Sequence, residues 1–457
     1  HGDEPLRAER EGRSAVGRKG IDSGHRARLR TPTATDDNPF PTAEHALDGP
    51  PTRVHAVGMK LLWFHLMPYP AFPDTFQQDH RSVWVDLDPA AFDRDVLAEV
   101  YDTYIEQLVD AERCGFDAIC VNEHHQNGYG LMPSPNLIAS ILASRTSRAA
   151  ITILGNSVAL YHPPLRVAEE MAMVDLLSKG RVIAGFPVGT AMDTAYSYGM
   201  NPSELRPRYY EGVELIRRAW NSTEPFAFNG EFNKYRYVNP VPRPFQRPHP
   251  PIWVPGGGSI ETWDYCAEHD FVYGALTYYG YKSVKTTTAA YWNRVEAHGK
   301  DPNPNRLAVI QFVGVADTDA EAYRLYREPA EYFFNRSLHV YPGFTDPPGY
   351  VTEASVRARY KSQVRAVARA KQAKHDLTWD EMVDNGYVVV GSPDTVREQL
   401  EEATRELRIG NMCAMLQFGN MSNELTRYNT QMFGEKVAPQ LRSMFSEFDH
   451  PWWPSHA

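Results

Sequence analysis

The run Glu123-His124-His125 holds the side chains best suited to chemistry. Imidazole can give or accept a proton near neutral pH, and imidazole and carboxylate are both common metal ligands. The run follows an apolar segment at residues 117–121 that predicts a strand. Alternation along the strand places Glu123 and His125 on one side and His124 on the other, which disfavours a shared metal. Three roles therefore stay open: a histidine that acts as acid, base or hydrogen-bond donor beside a cofactor, a structural hydrogen-bonded cluster, or a metal site.

A glycine-rich turn, Gly256-Gly257-Gly258-Ser259, follows another apolar segment and opens a predicted helix. Glycines let backbone N–H groups approach an anion, and the helix adds the positive end of its dipole. The turn therefore predicts a binding site for a phosphate monoester. The alternative is a tight strand-to-helix turn that needs only a positive φ angle.

Two more turns, Gly155-Asn156 and Gly189-Thr190, also follow predicted strands. Active sites of α/β barrels lie at the carboxyl ends of the strands. We therefore expect both turns to share one rim with the Glu-His-His run and the glycine-rich turn.

Short strands that are apolar on both faces alternate with helices along the chain after Met59. This pattern is typical of a parallel sheet covered by helices. It predicts an α/β protein with a (β/α)8 TIM barrel and long insertions, one of them a Pro-rich segment with a hairpin at residues 221–250. An open doubly wound sheet is the alternative, disfavoured because no GxGxxG motif follows the first strand. The eight predicted strands contain Leu61, Ala118, Ile151, Val182, Ile252, Phe271, Ala308 and Met412.

Composition narrows the function classes. The 457 residues include 47 Lys and Arg against 57 Asp and Glu, a net charge of −10 that disfavours nucleic acid or an anionic membrane as a partner. No stretch approaches the ~20 apolar residues of a membrane span. The 4 cysteines lie far apart without a CxxC motif, which indicates free thiols in a reducing compartment. We expect a cytoplasmic protein.

Residues 1–58 differ from the rest, because they are rich in Arg and Pro and their apolar residues follow neither a strand nor a helix period. We expect a disordered extension or a coding start placed too early. Residues 59–457 are then expected to form a single barrel domain.

Over residues 59–441 the chain resembles the bacterial luciferase-like superfamily of flavin-dependent monooxygenases and oxidoreductases. The order and spacing of several short motifs carry the resemblance. They are Asn122-Glu123-His124-His125, Leu154-Gly155-Asn156-Ser157, residues 163–170, Gly180-Arg181-Val182 with Gly185 and Gly189, residues 251–254 with the glycine turn, and residues 390–396.

The resemblance implies a luciferase-like TIM barrel that binds reduced FMN (FMNH2) supplied by a separate NAD(P)H:flavin reductase. O2 would be activated as a C4a-hydroperoxyflavin, shielded from water, to oxygenate a small organic substrate. The resemblance also implies a homodimer, paired through helices that flank the early strands.

Site roles are carried over by the same resemblance. His124 would lie near the reactive flavin edge, and Glu123 would contact the flavin or orient the histidine. The Gly155-Asn156 turn would contact the flavin, often through a non-proline cis peptide. Gly189 and Thr190 would belong to the cofactor site.

The glycine-rich turn, from Gly256 to Ser259, would bind the phosphate. Light-emitting members have an arginine for the phosphate where Val188 stands here, and a carboxylate near Gly256, so light emission is not expected. Arg206 and Arg208 are predicted to be helix-surface charges, with compensation for the missing arginine as the alternative.

Three alternatives stay open: a deazaflavin (F420)-dependent oxidoreductase of the same superfamily, a metal-dependent TIM-barrel hydrolase, and a non-catalytic flavin-binding relative. Residues 318–384 are expected to cover the substrate. Their aromatic side chains favour a small apolar or aromatic substrate.

Overall fold

The computed structural model describes residues 58–362 and 376–457. The predicted extension at residues 1–58 lies outside the described residues apart from Gly58, and its nature remains a prediction.

Eight strands form a closed parallel barrel, as predicted. The barrel order is β1-β2-β3-β4-β7-β8-β9-β11, and β11 pairs with β1 to close it. The strands are β1 Lys60–Phe64, β2 Ala118–Val121, β3 Ala150–Ile153, β4 Val182–Gly185, β5 Phe226–Asn229, β6 Lys234–Val238, β7 Ile252–Gly256, β8 Val272–Ala275, β9 Leu307–Val315, β10 Val388–Gly391 and β11 Asn411–Met415.

Helices separate the strands and cover the outside of the barrel. They are α1 Phe76–Asp79, α2 Arg94–Arg113, α3 Pro135–Arg145, α4 Leu165–Leu177, α5 Leu205–Asn221, α6 Ile260–His269, α7 Lys285–Ala297, α8 Asp319–Tyr332, α9 Glu353–Ser362, α10 Trp379–Asp384, α11 Pro393–Leu407, α12 Asn423–Met432 and α13 Ala438–Leu441. No helix in the described ranges is long and apolar enough to cross a membrane.

Alternate strand residues serve two cores. In β2, Ala118 and Cys120 join the cluster inside the barrel, whereas Ile119 and Val121 pack with the surrounding helices. This division explains why the strands are apolar on both faces.

Two features lie outside the barrel. The predicted hairpin in the Pro-rich insertion is present as the antiparallel pair β5 and β6. The strand β10 was not predicted, and it pairs with the second half of β9, the longest of these strands.

Candidate active site

A cavity of about 340 Å³ lies at the carboxyl ends of the barrel strands. Its size is within the usual range for a small-molecule site. Seven of the predicted site residues line it, namely Glu123, His124, Gly189, Thr190, Gly256, Gly257 and Ser259. The predicted residues Gly155, Asn156 and Gly258 are not in its lining.

His124 forms a close pair with Asp193. Its Nδ1 lies 2.9 Å from Asp193 Oδ2, and both side chains are largely buried. Because a carboxylate only accepts, Nδ1 carries the proton of the neutral ring. Nε2 is then a proton acceptor, and it makes no hydrogen bond within the described part of the chain. The pair can therefore present a basic nitrogen in a fixed orientation.

Asp193 lies in a π-helical segment, Met192–Ser197, that follows β4. Its Oδ1 accepts from the His125 backbone N–H and from Asn127 Nδ2, each at 3.0 Å. Its Oδ2 also accepts from Thr190 Oγ1 at 2.8 Å. These hydrogen bonds hold the carboxylate against His124. Sequence reasoning missed Asp193, and the only signal was an acidic residue shortly after the polar turn of the fourth strand.

Glu123 and His125 form a second, separate pair, on the side of the strand that alternation predicted. His125 Nε2 donates to Glu123 Oε1 at 2.7 Å, and Tyr198 donates to His125 Nδ1 at 3.1 Å. Glu123 Oε2 also accepts from the Tyr161 hydroxyl at 2.9 Å. Burial, then the Glu123 charge, raises the pKa of Tyr161 far above its ordinary value, so Tyr161 stays a donor.

The Gly155-Asn156 turn supports Glu123 from behind. Asn156 is fully buried, and its Nδ2 donates to Tyr161 at 2.9 Å and to Glu123 at 3.4 Å. Gly155 has a φ of 152°, and a Cβ there would lie 2.4 Å from Pro187. In the structure this turn packs against Pro187 and holds the carboxylate, and its role in cofactor binding remains a prediction. The cis peptides among the described residues all precede proline, so the expected cis peptide in this turn is not observed.

The glycine-rich turn and Arg206 form the other end of the cavity, which we call the cradle (Gly256, Gly257, Ser259 and Arg206). Gly258 has a φ of 85°, which explains a glycine at that position. Helix α6 begins directly after Ser259, so the positive end of its dipole faces this turn.

Arg206 was predicted to be a helix-surface charge, and that prediction is wrong. Its guanidinium lies 3.3 Å from both Ser259 Oγ and Thr262 Oγ1, and its Nε is buried without a partner in the described residues. The unpaired N–H, the two hydroxyls and the helix dipole fit a phosphate group. Arg208 instead pairs with Glu204 on the helix surface.

A roof segment, residues 338–352, covers the cavity. Tyr350 donates to the carbonyl of Gly189 at 2.5 Å, and Ser355 beyond it donates to Glu261 at 2.7 Å. Burial opposes ionisation of Glu261, but hydrogen bonds from Thr352 and Ser355 keep its pKa below the ordinary value. The roof is therefore fastened to the β4 exit and to α6.

The wall next to His124 is aromatic. Trp84 and Tyr129 stack at 4.1 Å, and each meets the His124 ring edge-on. The Tyr129 hydroxyl donates to that of Tyr278 at 2.5 Å. Burial raises the pKa of Tyr278 to about 12, so this wall stays uncharged at neutral pH.

The predicted covering segment contributes to the site only in part. Tyr350 lines the cavity, whereas Tyr332, Phe333 and Phe334 are buried in the core. Residues 363–375 of that segment lie outside the described residues.

No metal-binding group of three or more His, Cys, Asp or Glu side chains is present in the two described ranges. The two histidines are bound to different carboxylates.

The chain matches a known protein family. Residues 80–409 match the family model described as luciferase-like monooxygenase. The chain belongs to the luciferase-like monooxygenase family. The predicted family, barrel fold and enzyme class, a flavin-dependent monooxygenase or oxidoreductase, are thereby confirmed.

One relative in sequence and two solved structures of similar fold stand out among the similar proteins. The oxygenase component of the flavin-dependent trigonelline monooxygenase of Acinetobacter baylyi is 32% identical over 169 residues, which cover 35% of this chain and 45% of that one. The oxygenating constituent of 3,6-diketocamphane monooxygenase of Pseudomonas putida, solved with FMN, superposes with a TM-score of 0.63 at 20% identity, covering 84% and 99% of the two chains. An F420-dependent secondary alcohol dehydrogenase superposes with a TM-score of 0.56 at 17% identity, covering 84% of this chain and 100% of that one.

Proposed function

We propose that this chain is the oxygenase component of a two-component monooxygenase. It would receive FMNH2 from a separate NAD(P)H:flavin reductase and use O2, activated as the C4a-hydroperoxyflavin, to oxygenate a small apolar or aromatic substrate. The observation that carries the proposal is one cavity that joins the cradle to the His124–Asp193 pair.

The cradle is the evidence for FMN as the cofactor. Gly256, Gly257 and Ser259 line the cavity beside Arg206, whose Nε lacks a partner among the described residues. A dianionic phosphate would gain charge-assisted hydrogen bonds there. Bound reduced FMN would supply the electrons that activate O2.

His124 is proposed to hold or move one proton at Nε2, with Asp193 fixing the ring. Glu123 is proposed as a positioning residue, since its oxygens already accept from His125, Tyr161 and the Ser157 backbone.

Water exclusion is assigned to the roof and the aromatic wall. The roof contributes Leu338, Val340 and Val351 to the lining. Together with Trp84 and Tyr129 they give a largely apolar surround, which supports an apolar or aromatic substrate and the shielding of a reactive oxygen species.

Two partners belong to the proposal. The Acinetobacter relative is named as an oxygenase component, which supports a separate reductase. An apolar surface on α3 and α4, formed by Leu137, Ile141, Met173, Leu176 and Leu177, supports a homodimer. The cytoplasmic location remains a prediction.

Rapid mixing of the FMNH2 complex with oxygenated buffer tests the proposal. We expect the absorbance of a flavin–oxygen species that persists far longer than the same species formed from free FMNH2. In His124→Ala this absorbance should decay faster. Arg206→Met should require a higher FMN concentration to form the same amount of complex. Wild-type protein that binds neither oxidised nor reduced FMN would contradict the proposal. Unchanged decay in His124→Ala would favour a non-catalytic flavin-binding protein, and hydride transfer from reduced F420 to an added organic acceptor without O2 would favour the deazaflavin alternative.

A further inference from the structure

Asn122 is a buried amide at the edge of the cavity. It follows β2 directly, is 3% exposed, and lines the cavity beside Glu123 and His124. Neither its Oδ1 nor its Nδ2 has a hydrogen-bond partner within the described residues. Both halves of the amide are thus available at the cavity.

A nearby amide shows what a structural asparagine looks like here. Asn127 is also buried, and its Nδ2 donates to the His125 carbonyl and to Asp193. Its Oδ1 accepts from the Gly130 backbone N–H at 3.1 Å. Buried amides are normally paired in this way, because desolvation without a partner is costly. The unpaired amide of Asn122 therefore points to a ligand.

We propose that Asn122 binds the pyrimidine half of the flavin ring, and this rests on the proposed function. A carboxamide presents a donor and an acceptor side by side. The isoalloxazine matches it with N3–H and an adjacent carbonyl held in one rigid plane, whereas a phosphate dianion has only acceptors and the ribityl hydroxyls are not held in one plane. Arg206 would then hold one end of the cofactor and Asn122 the other.

Stability of the cofactor-free protein gives the first test. Asn122→Leu removes an unpaired amide and keeps a similar size, so the melting temperature should rise by roughly 1–4 °C. The matched control is Asn411→Leu, because Asn411 is equally buried but donates to the carbonyls of Asn305 and Leu307. That variant should melt lower than wild type. If Asn122→Leu also melts lower, Asn122 has a structural role and the proposal is overturned.

Ligand affinity gives the second test, with flavin fluorescence as the readout. Asn122→Leu should weaken the binding of FMN and of riboflavin by the same factor, about tenfold. Arg206→Met should weaken the binding of FMN but not of riboflavin, because riboflavin has no phosphate. Wild type should bind 3-methyl-FMN about tenfold more weakly than FMN, and Asn122→Leu should not discriminate. Asn122→Asp loses the donor but keeps an acceptor for N3–H, so unlike Asn122→Leu it should still discriminate against 3-methyl-FMN.

The results separate the two proposals. FMN binding by wild type with the same affinity in Asn122→Leu, or unchanged discrimination against 3-methyl-FMN, would overturn the role of Asn122 alone. Absence of FMN and riboflavin binding by wild type would overturn both.

Discussion

At the residue level, the proton position on His124 depends on a carboxylate from a different strand exit. Asp193 Oδ1 already accepts from two N–H groups, so an amide at this position must turn its oxygen toward them. Its NH2 group would then face His124 Nδ1. The imidazole would have to accept at Nδ1 and carry its proton on Nε2.

We predict that Asp193→Asn moves the proton of His124 from Nδ1 to Nε2 and lowers the oxygenation rate about 10²-fold, as expected when an acid–base group is disabled. NMR of protein labelled with 15N-histidine measures the tautomer without cofactor, and His124→Gln identifies the resonances. Thr190→Val, which removes one hydrogen bond to Asp193 and leaves the carboxylate, is the control and should keep the wild-type tautomer. An Nε2–H tautomer in wild type would refute the prediction.

Sequence reasoning found one half of the His124–Asp193 contact and one half of the contact between the glycine-rich turn and Arg206. Glu123, His124 and the glycine turn were visible because their residue types are unusual next to apolar strands. Asp193 was not, because it is an ordinary charge within an irregular turn, and Arg206, an ordinary charge on a helix, was considered for the phosphate only as an alternative. Their roles come from distances across the barrel, which no local pattern encodes.

At the element level, helices α3 and α4 are apolar on the side away from the barrel as well as on the side toward it. Leu137 is 67% exposed and Leu177 is 57% exposed, although their neighbours Ile138 and Val174 are buried. Exposed apolar patches of this kind usually mark an interface. Both helices flank early strands, where the family resemblance places a dimer contact.

We predict that Leu137→Asp combined with Leu177→Asp converts a dimer into a folded monomer, because charges would be buried at the interface. Light scattering after size exclusion measures the mass, and circular dichroism checks the fold. Tyr237→Asp, at a 67% exposed aromatic residue on β6, is the control and should stay dimeric. A monomeric wild type at micromolar concentration, or a double variant that stays dimeric, would contradict the homodimer.

The elements themselves were largely predictable. Each barrel strand is a short apolar run between helices, and each was assigned near its observed position. The strand β10 was missed although Val388, Val389 and Val390 form such a run. An eight-stranded barrel has no place for a ninth strand, and β10 pairs with β9 only beyond the residues that pair with β8.

At the scale of the whole molecule, the barrel core includes groups whose ionisation is linked to folding. His65 follows β1, is fully buried, and is satisfied only as a neutral ring. Its Nε2 donates to Gln107 Oε1 at 3.1 Å, and its Nδ1 accepts from the Met67 backbone N–H at 2.8 Å. A second proton would place N–H against N–H. Burial lowers the pKa of His65 to about 3, despite the hydrogen bond that His65 donates to Gln107.

The sign of the pH dependence follows from this pKa. Between pH 6.5 and about 3 the unfolded chain binds a proton that the folded chain does not, so stability is complete above pH 6.5 and falls as pH decreases. His65 should contribute about 1.4 kcal/mol per pH unit, or roughly 2 kcal/mol between pH 6.5 and 5. Burial also lowers the pKa of His450 to about 3, so this residue should add a similar dependence of stability on pH.

We predict that His65→Asn, which keeps an acceptor for Met67, reduces the loss of unfolding free energy between pH 7 and 5 by roughly 2 kcal/mol. Urea unfolding at pH 7, 6 and 5 measures it. The variant should be less stable than wild type at pH 7, because the ring packing is lost, so the slope and not the stability at one pH decides. His456→Asn, at an exposed histidine, is the control for loss of an imidazole and should keep the wild-type slope. Equal slopes of unfolding free energy against pH in wild type and His65→Asn would show that His65 takes up a proton in the folded barrel. That result would contradict the neutral ring inferred from its hydrogen bonds.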